Sequence, residues 1–295
     1  MIESLLDGCE QLTREYQKLT DSRGYRLKQK LMNCKSLLKD GKILKFFKCL
    51  FLDTSKLDRF IVEDIPWQHT SHLSDKRIAV YTAVFGAYDS LLEPLVKPDN
   101  IDYYIITDQP VADSSLWKKI ETVDFPPDVK TNVEKNRFVK MRPDLIFKDY
   151  DYSIYVDGNV LITSDLSPMA EQLGELPIAM HRHKNRDCVY DEIKACIRKD
   201  KGSARDFLQH KKLLKSHGIP YHWGLLEAPV IARRHHEPLC IDLMQQWWEE
   251  FTAYSKRDQI SIIDVLWRNG LTVDQFATLG NNVYKSNYFL IMMHK

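Results

Sequence analysis

Two periodicities divide the chain. Near its start, apolar positions recur three and four apart: Ile2, Leu5, Leu6, Cys9, Leu12, Tyr16 and Leu19 form one helical face. Leu27, Leu31, Cys34 and Leu38 resume the rule after a break at Asp21-Ser22-Arg23-Gly24, and a third amphipathic piece from Ile43 to Leu52 mixes lysine with aromatic residues. From Lys76 the pattern changes. "RIAVYTAVFG" and "DYYIITD" are rich in β-branched and aromatic residues and bounded by turn formers, which predicts strands. "TNVEKNRFVKMRPDLIF" predicts a helix with a proline near its end, and "YSIYVD" and "PIAMH" predict further short strands. Helices are expected at Tyr190–Lys199, Ala204–Ser216, Glu237–Tyr254 and Gln259–Asn269, with "EAPVIAR" as a strand between them. Strands alternating with helices predict an α/β domain over residues 76–295 built on a mainly parallel sheet, preceded by a helical extension over residues 1–75.

Composition narrows the picture. A chain of 295 residues with 44% hydrophobic content is globular, long enough for one large α/β domain or a medium domain with an appendage. A net charge of +1 argues against a dedicated nucleic-acid binder. That charge is unevenly placed: residues 11–50 carry eleven Lys/Arg against three Asp/Glu, so the extension is basic and the remainder acidic. A basic amphipathic arm either packs on the main domain or makes peripheral contact with an anionic membrane. The six cysteines show no paired spacing, which suits a reducing compartment. The N-terminus lacks the basic-then-apolar order of a signal peptide, and no apolar run reaches a spanning length. The expectation is a cytoplasmic protein, or one peripheral at the inner face of the membrane.

The candidate chemistry centres on Asp157-Gly158-Asn159, which follows the apolar run Ile154-Tyr155-Val156. A carboxylate at a strand end is costly unless something pairs with it, and ligands of α/β sheets gather beyond the carboxyl ends of strands. Asp157 and Asn159, two oxygen donors two residues apart, can reach one Mn²⁺ or Mg²⁺ ion from the same side, and the glycine permits a close turn. A plain surface turn explains the same three residues. His181 and His183 alternate along a strand, but without a third clustered ligand they do not make a zinc site.

The Asp-Gly-Asn turn resembles the Asp-x-Asp signature of GT-A-type nucleotide-sugar glycosyltransferases. It stands in order with "VYTAVFGAYD", "ITD", "NRFVKMRPDLIFKDYDYSIYVDGN", "HKNRDCVYDE", "GLLEAPVIARRH" and "YSKRDQISIIDVLW". Together these blocks, over roughly residues 77–270, resemble the glycosyltransferase-like family of bacterial polysaccharide loci and of plant turgor-regulation-defect and mucilage-related proteins. Lys184 departs from the proline more common there after the histidine. The resemblance implies a GT-A-like fold and transfer of a sugar from a nucleotide-sugar donor, such as a UDP-sugar, to a glycan or lipid-linked acceptor in cell-surface polysaccharide synthesis.

On that resemblance, Asp157 and Asn159 hold the cation and the near-terminal His294 closes its site. Thr82, Ala83 and Phe85 at the end of the first strand meet the nucleotide base and ribose, and Asp108 accepts a base N–H. Arg137 and Lys140, three apart on one helical face, contact phosphate or base. Asp258 or Glu227 supplies catalytic carboxylate chemistry, although Asp258 at a helix start also suits a cap. His183, Arg186, Glu192, Arg257 and Gln259 line the acceptor side. Because an aspartate is commoner in the third position of the signature, exchanging Asn159 for aspartate is expected to be tolerated. Two other readings fit parts of the pattern. "YVDGNVLIT" superficially resembles the nucleophile strand of haloacid-dehalogenase-type phosphatases, though Asn159 replaces their second aspartate. A non-catalytic nucleotide- or glycan-binding module is the other.

Overall fold

A computed structural model describes residues 73, 75–86 and 88–292. Residues 1–72, most of the expected extension, and His294 lie outside the described residues. The chain lays down β1 (Ile78–Val84), β2 (Ile101–Thr107), β3 (Lys118–Lys119), helix α1 (Asn132–Met141), β4 (Tyr152–Val156) and β5 (Val160–Ile162). It continues through α2 (Ser167–Glu171), β6 (Ile178–Arg182), α3 (Val189–Arg198), α4 (Ala204–Ser216) and β7 (Leu226–Arg233). Helices α5 (Pro238–Ala253), α6 (Asp258–Arg268) and α7 (Val273–Phe276) precede the last strand, β8 (Phe289–Ile291).

Six strands form one sheet in the order β3-β2-β1-β4-β7-β6. The first four are parallel, as the α/β expectation requires, whereas β7 runs antiparallel to both β4 and β6. Strands β5 and β8 pair antiparallel in a separate small sheet. All seven residues of β1 are buried. Ala79, Tyr81 and Ala83 join the core on the side of α1, α5 and α6, while Ile78 and Val80 join a second core with Val160, Val283 and Phe289. Covering both faces is what turns a strand into a nearly continuous apolar run rather than an alternating one.

The helix expected over residues 131–147 begins and ends for local reasons. Thr131 and Glu134 form a reciprocal capping box at the start of α1. Arg142 precedes Pro143 and is displaced from helical geometry, at φ −124° and ψ 53°. The α-helix therefore stops at Met141, and a 3₁₀ turn over Pro143–Leu145 continues the path. At that end the Lys140 carbonyl accepts hydrogen bonds from Arg233 Nη1 at 2.7 Å and from the Tyr81 hydroxyl at 3.2 Å. Arg233 is fully buried and also donates to Tyr81. This knot between β1, β7 and α1 fixes where the Lys140 side chain leaves the helix.

Candidate functional site

The antiparallel course of β7 brings its N-terminal residues to the same sheet edge as the carboxyl ends of β1, β4 and β6. A cavity of about 650 Å³ opens along that edge. Its walls include Ala83–Gly86 after β1, Asp157 and Gly158 after β4, His183 after β6 and Glu227 on β7. Helices close it with Asn136 and Arg137 of α1, Glu192 and Cys196 of α3, and Arg257 to Gln259 at the start of α6.

Asp157 leaves β4 through a tight turn: its amide donates to the Pro229 carbonyl, and its own carbonyl accepts from Val160. Gly158 is required there, because a Cβ would stand 2.6 Å from Val84 Cγ2. The Asp157 carboxylate is about a quarter exposed, with Oδ1 3.5 Å from Lys140 Nζ. Lys140 is buried and reaches Asp258 Oδ2 at 2.8 Å, to which Arg137 Nε also comes within 3.1 Å. Burial alone would raise the Asp258 carboxyl, but Arg137, Lys140 and Arg257 outweigh it and hold the group far below the usual carboxylate range. The result is an ion-pair cluster of buried Lys140, half-buried Arg137 and two carboxylates, of which Asp157 is the more exposed.

The other lobe behaves in the opposite sense. Glu227 is buried, with Oε1 3.4 Å from His183 Nε2 and Oε2 without a hydrogen-bond partner. Burial lifts its carboxyl to about 7; Lys184 opposes the rise and Glu192 adds to it. His183 Nδ1 accepts the backbone amides of Asn185 and Arg186, while Nε2 faces Arg186 Nη2 at 3.1 Å and Glu227 Oε1 at 3.4 Å. Burial, then Arg186 and Lys184, keep that ring neutral. Arg186 Nε is bound to Glu192 Oε2 at 2.7 Å, while Glu192 Oε1 accepts from Cys196.

Most residues singled out from the sequence meet at this cavity: Ala83, Phe85, Arg137, Asp157, His183, Arg186, Glu192, Glu227, Arg257, Asp258 and Gln259 all line it, with Lys140 directly behind. Three do not. Thr82 is buried within β1 and does not line the cavity. Both oxygens of Asp108 accept from the Gly86 amide, at 2.9 and 3.1 Å, so the carboxylate braces the turn after β1. Gly86 needs that turn's positive φ of 69°, and a Cβ on it would collide with Asn132. Asn159 is buried and bonds to the last strand: its amide nitrogen donates to the Met292 carbonyl and its carbonyl accepts from the Met292 amide, both at 2.7 Å. Its Oδ1 is the side-chain oxygen left for a cation. The zinc spacing fails as well, since His181 packs edge-on against Phe289 while His183 lines the cavity. No group of three or more metal-ligating His, Cys, Asp or Glu side chains gathers among the described residues.

Sequence reasoning missed Asn136, Asp89 and Tyr284. Asn136 lies four residues before Lys140, on the same helical face, and donates to the Ala83 carbonyl at 2.6 Å. Asp89 sits beside Gly158, and Tyr284 carries the Lys184 ammonium 3.3 Å above its ring. Spacing on α1 pointed to Asn136; nothing local pointed to Tyr284, which arrives from a distant 3₁₀ turn over Val283–Lys285.

A profile of the TOD1/MUCI70 glycosyltransferase-like domain matches residues 38–287. The chain belongs to this family. As a TOD1/MUCI70 glycosyltransferase-like chain it has no match among curated proteins. Solved structures similar to it include the apo WbbM bifunctional glycosyltransferase, at 12% identity and a TM-score of 0.45 over 69% of this chain and 40% of that one. The glycosyltransferase GlyE of Streptococcus pneumoniae TIGR4 aligns over 67% of this chain and 44% of its own, at 15% identity and a TM-score of 0.34. The galactosyltransferase LgtC, solved with donor and acceptor sugar analogs, aligns over 66% and 72%, at 13% and 0.37. The chain thus spans less than half the length of WbbM and GlyE.

Proposed function

We propose that this TOD1/MUCI70 glycosyltransferase-like chain transfers a sugar from a nucleoside-diphosphate donor, such as a UDP-sugar, to a glycan or lipid-linked acceptor of cell-surface polysaccharide synthesis. The observation that carries the reading is the split electrostatics of one cavity. At one lobe Asp157 stands beside buried Lys140, with half-buried Arg137 held next to it by Asp258; at the other, Glu227 offers an unpartnered carboxylate oxygen. A diphosphate leaving group needs charge stabilisation, and an acceptor hydroxyl needs a proton acceptor.

The donor set suits a divalent cation. Asp157, Asp89 beside Gly158 and the remaining oxygen of Asn159 are hard oxygen donors near one turn, as Mn²⁺ or Mg²⁺ prefers. When bound, such an ion would neutralise diphosphate charge as a Lewis acid. Arg137 contributes charge-assisted hydrogen bonds to phosphate oxygens, held in place by Asp258. Asp258, fully ionised and engaged by both cations, is a poor base and serves here as a positioning residue. Glu227 takes the acceptor hydroxyl proton on Oε2, with neutral His183 packed beside Oε1. Ala83 and Phe85 form the wall on which the base rests.

Calorimetry with UDP tests this directly. Binding is expected with Mn²⁺ and to weaken in chelator, and Asp157→Asn should abolish the metal-dependent part while leaving the thermal midpoint within a few degrees. Unchanged Mn²⁺-dependent binding by that variant would remove Asp157 from the site, and absence of any nucleotide binding would remove the donor.

A further inference from the structure

The cavity carries more positive charge than its own carboxylates answer. Arg137 and Lys140 are matched by Asp258 and Asp157, Arg186 by Glu192, and Lys256 by Glu134 at 2.6 Å. Lys199 and Lys201, both exposed at the rim, and Arg257, whose Nη2 donates to Gln259 Oε1 at 3.2 Å, have no closer ion pair. Among the described residues no carboxylate lies within ion-pair distance of Lys199 or Lys201. The nearest to Arg257 is Glu192 at 4.0 Å, already engaged by Arg186 and Cys196. Arg257 Nε is buried and has no hydrogen-bond partner, and all three side chains line the cavity.

Their placement is built into the backbone. Helix α3 ends in a Schellman turn: the Lys201 amide donates to the Cys196 carbonyl at 3.0 Å and the Asp200 amide to the Ile197 carbonyl at 3.2 Å. Asp200 takes the left-handed conformation this turn needs, at φ 53°. The turn folds the Lys201 backbone back over Cys196, a residue of the cavity wall, and sets it beside Lys199. Desolvation, then the neighbouring charges of Arg257 and Lys199, push the Lys201 ammonium down. Lys199 and Lys201 lie on the side of Glu192 and Glu227, and Arg257 stands between them and Asp258.

We propose that Lys199, Lys201 and Arg257 form an anion subsite that receives a carboxylate or phosphate group of the acceptor, making the preferred acceptor an acidic or phosphorylated saccharide. The assignment to the acceptor rests on the glycosyltransferase reading above, with the donor diphosphate in the Asp157 lobe.

The test is an NMR titration of the full chain, held with UDP and Mn²⁺, using glucuronate, glucose 6-phosphate and glucose as probes. At least one anionic probe should bind about tenfold more tightly than glucose, the gain from one charge-assisted hydrogen bond. The arm that binds tells carboxylate from phosphate. Lys199→Gln with Lys201→Gln should erase the preference and leave the UDP affinity unchanged. Lys211→Gln with Lys212→Gln, which removes the same charge from α4, should keep both. Equal binding of all three probes by the wild-type chain, or a preference that survives the Lys199/Lys201 exchange, overturns the subsite. A loss of UDP affinity in that variant reassigns the rim to the donor and overturns the acceptor role. Failure of the wild-type chain to bind UDP at all defeats the glycosyltransferase reading instead, a result separate from the probe preference.

Discussion

Glu227 and Asp258 line one cavity and titrate at opposite ends of the carboxylate range, because one is buried beside another carboxylate and the other beside three cations. For Glu227 the folded value of about 7 lies above the unfolded one near 4.3. The folded state therefore holds the proton more tightly, and stability falls as pH rises from about 4.3 to 7, by at most ~4 kcal/mol. Glu227→Gln should remove that decline, so its urea midpoint should gain on the wild type across this window and stay level above it. In the proposed reaction the wild-type kcat/KM should rise with pH through about 7. Glu227→Gln should lose that limb and on the order of 10²–10⁴ in rate. A pH profile unchanged by the substitution would exclude Glu227 as the base. Asp258 has the reverse sign: its folded value is depressed, so its contribution is present above about pH 4 and is lost as pH falls below that. Asp258→Asn would leave Lys140 and Arg137 with one fewer anion. A cost of about 3–5 kcal/mol is expected at pH 7 for breaking a buried pair, shrinking in acid. A cost independent of pH would show that its side chain acts through packing.

Among the elements, the small β5–β8 sheet is where structure revises expectation. Asn159 looks, by pattern, exchangeable for aspartate. Its amide nitrogen, however, is the donor to the Met292 carbonyl at 2.7 Å, and the neighbouring backbone pair closes the ladder of β5 with β8. A carboxylate oxygen in that position would face a carbonyl oxygen with no proton between them. Asn159→Asp should therefore destabilise the chain by about 1–3 kcal/mol, the cost of an unsatisfied buried polar group. It should also raise hydrogen-exchange rates over β8. Bound Mn²⁺ would offset part of this if the new carboxylate turned to the ion, so the loss should shrink when the metal and UDP are added. A variant as stable as wild type in chelator would show that the Met292 contact contributes nothing.

At the scale of the whole molecule, no helix among the described residues is long and apolar enough to cross a membrane. The proposed acceptors include lipid-linked glycans, so the basic segment over residues 11–50, with eleven Lys/Arg against three Asp/Glu, becomes the candidate for bringing the chain to an anionic surface. Co-sedimentation with anionic vesicles should exceed that with neutral ones at low salt. It should fall as ionic strength rises and the Debye length shrinks below about 8 Å. Equal sedimentation with both vesicle types would leave that segment a packing element.

The alternation of strand and helix patterns determined the α/β class, and spacing determined the helices. The apolar run before Asp157 marked a strand end with a costly charge, and the three-residue offset of Arg137 and Lys140 placed two cations on one helical face. These are local properties, written in periodicities of two and 3.6. Strand direction is not local. "EAPVIAR" reads the same whether it runs with β4 or against it, and only the antiparallel packing of β7 brought Glu227 to the edge where Asp157 lies. The pairing of Lys140 with Asp258 spans 118 positions, and that of Asn159 with Met292 spans 133. Tertiary structure decided which carboxylate is locked and which is free, because desolvation and neighbouring charge depend on what distant segments bring into contact.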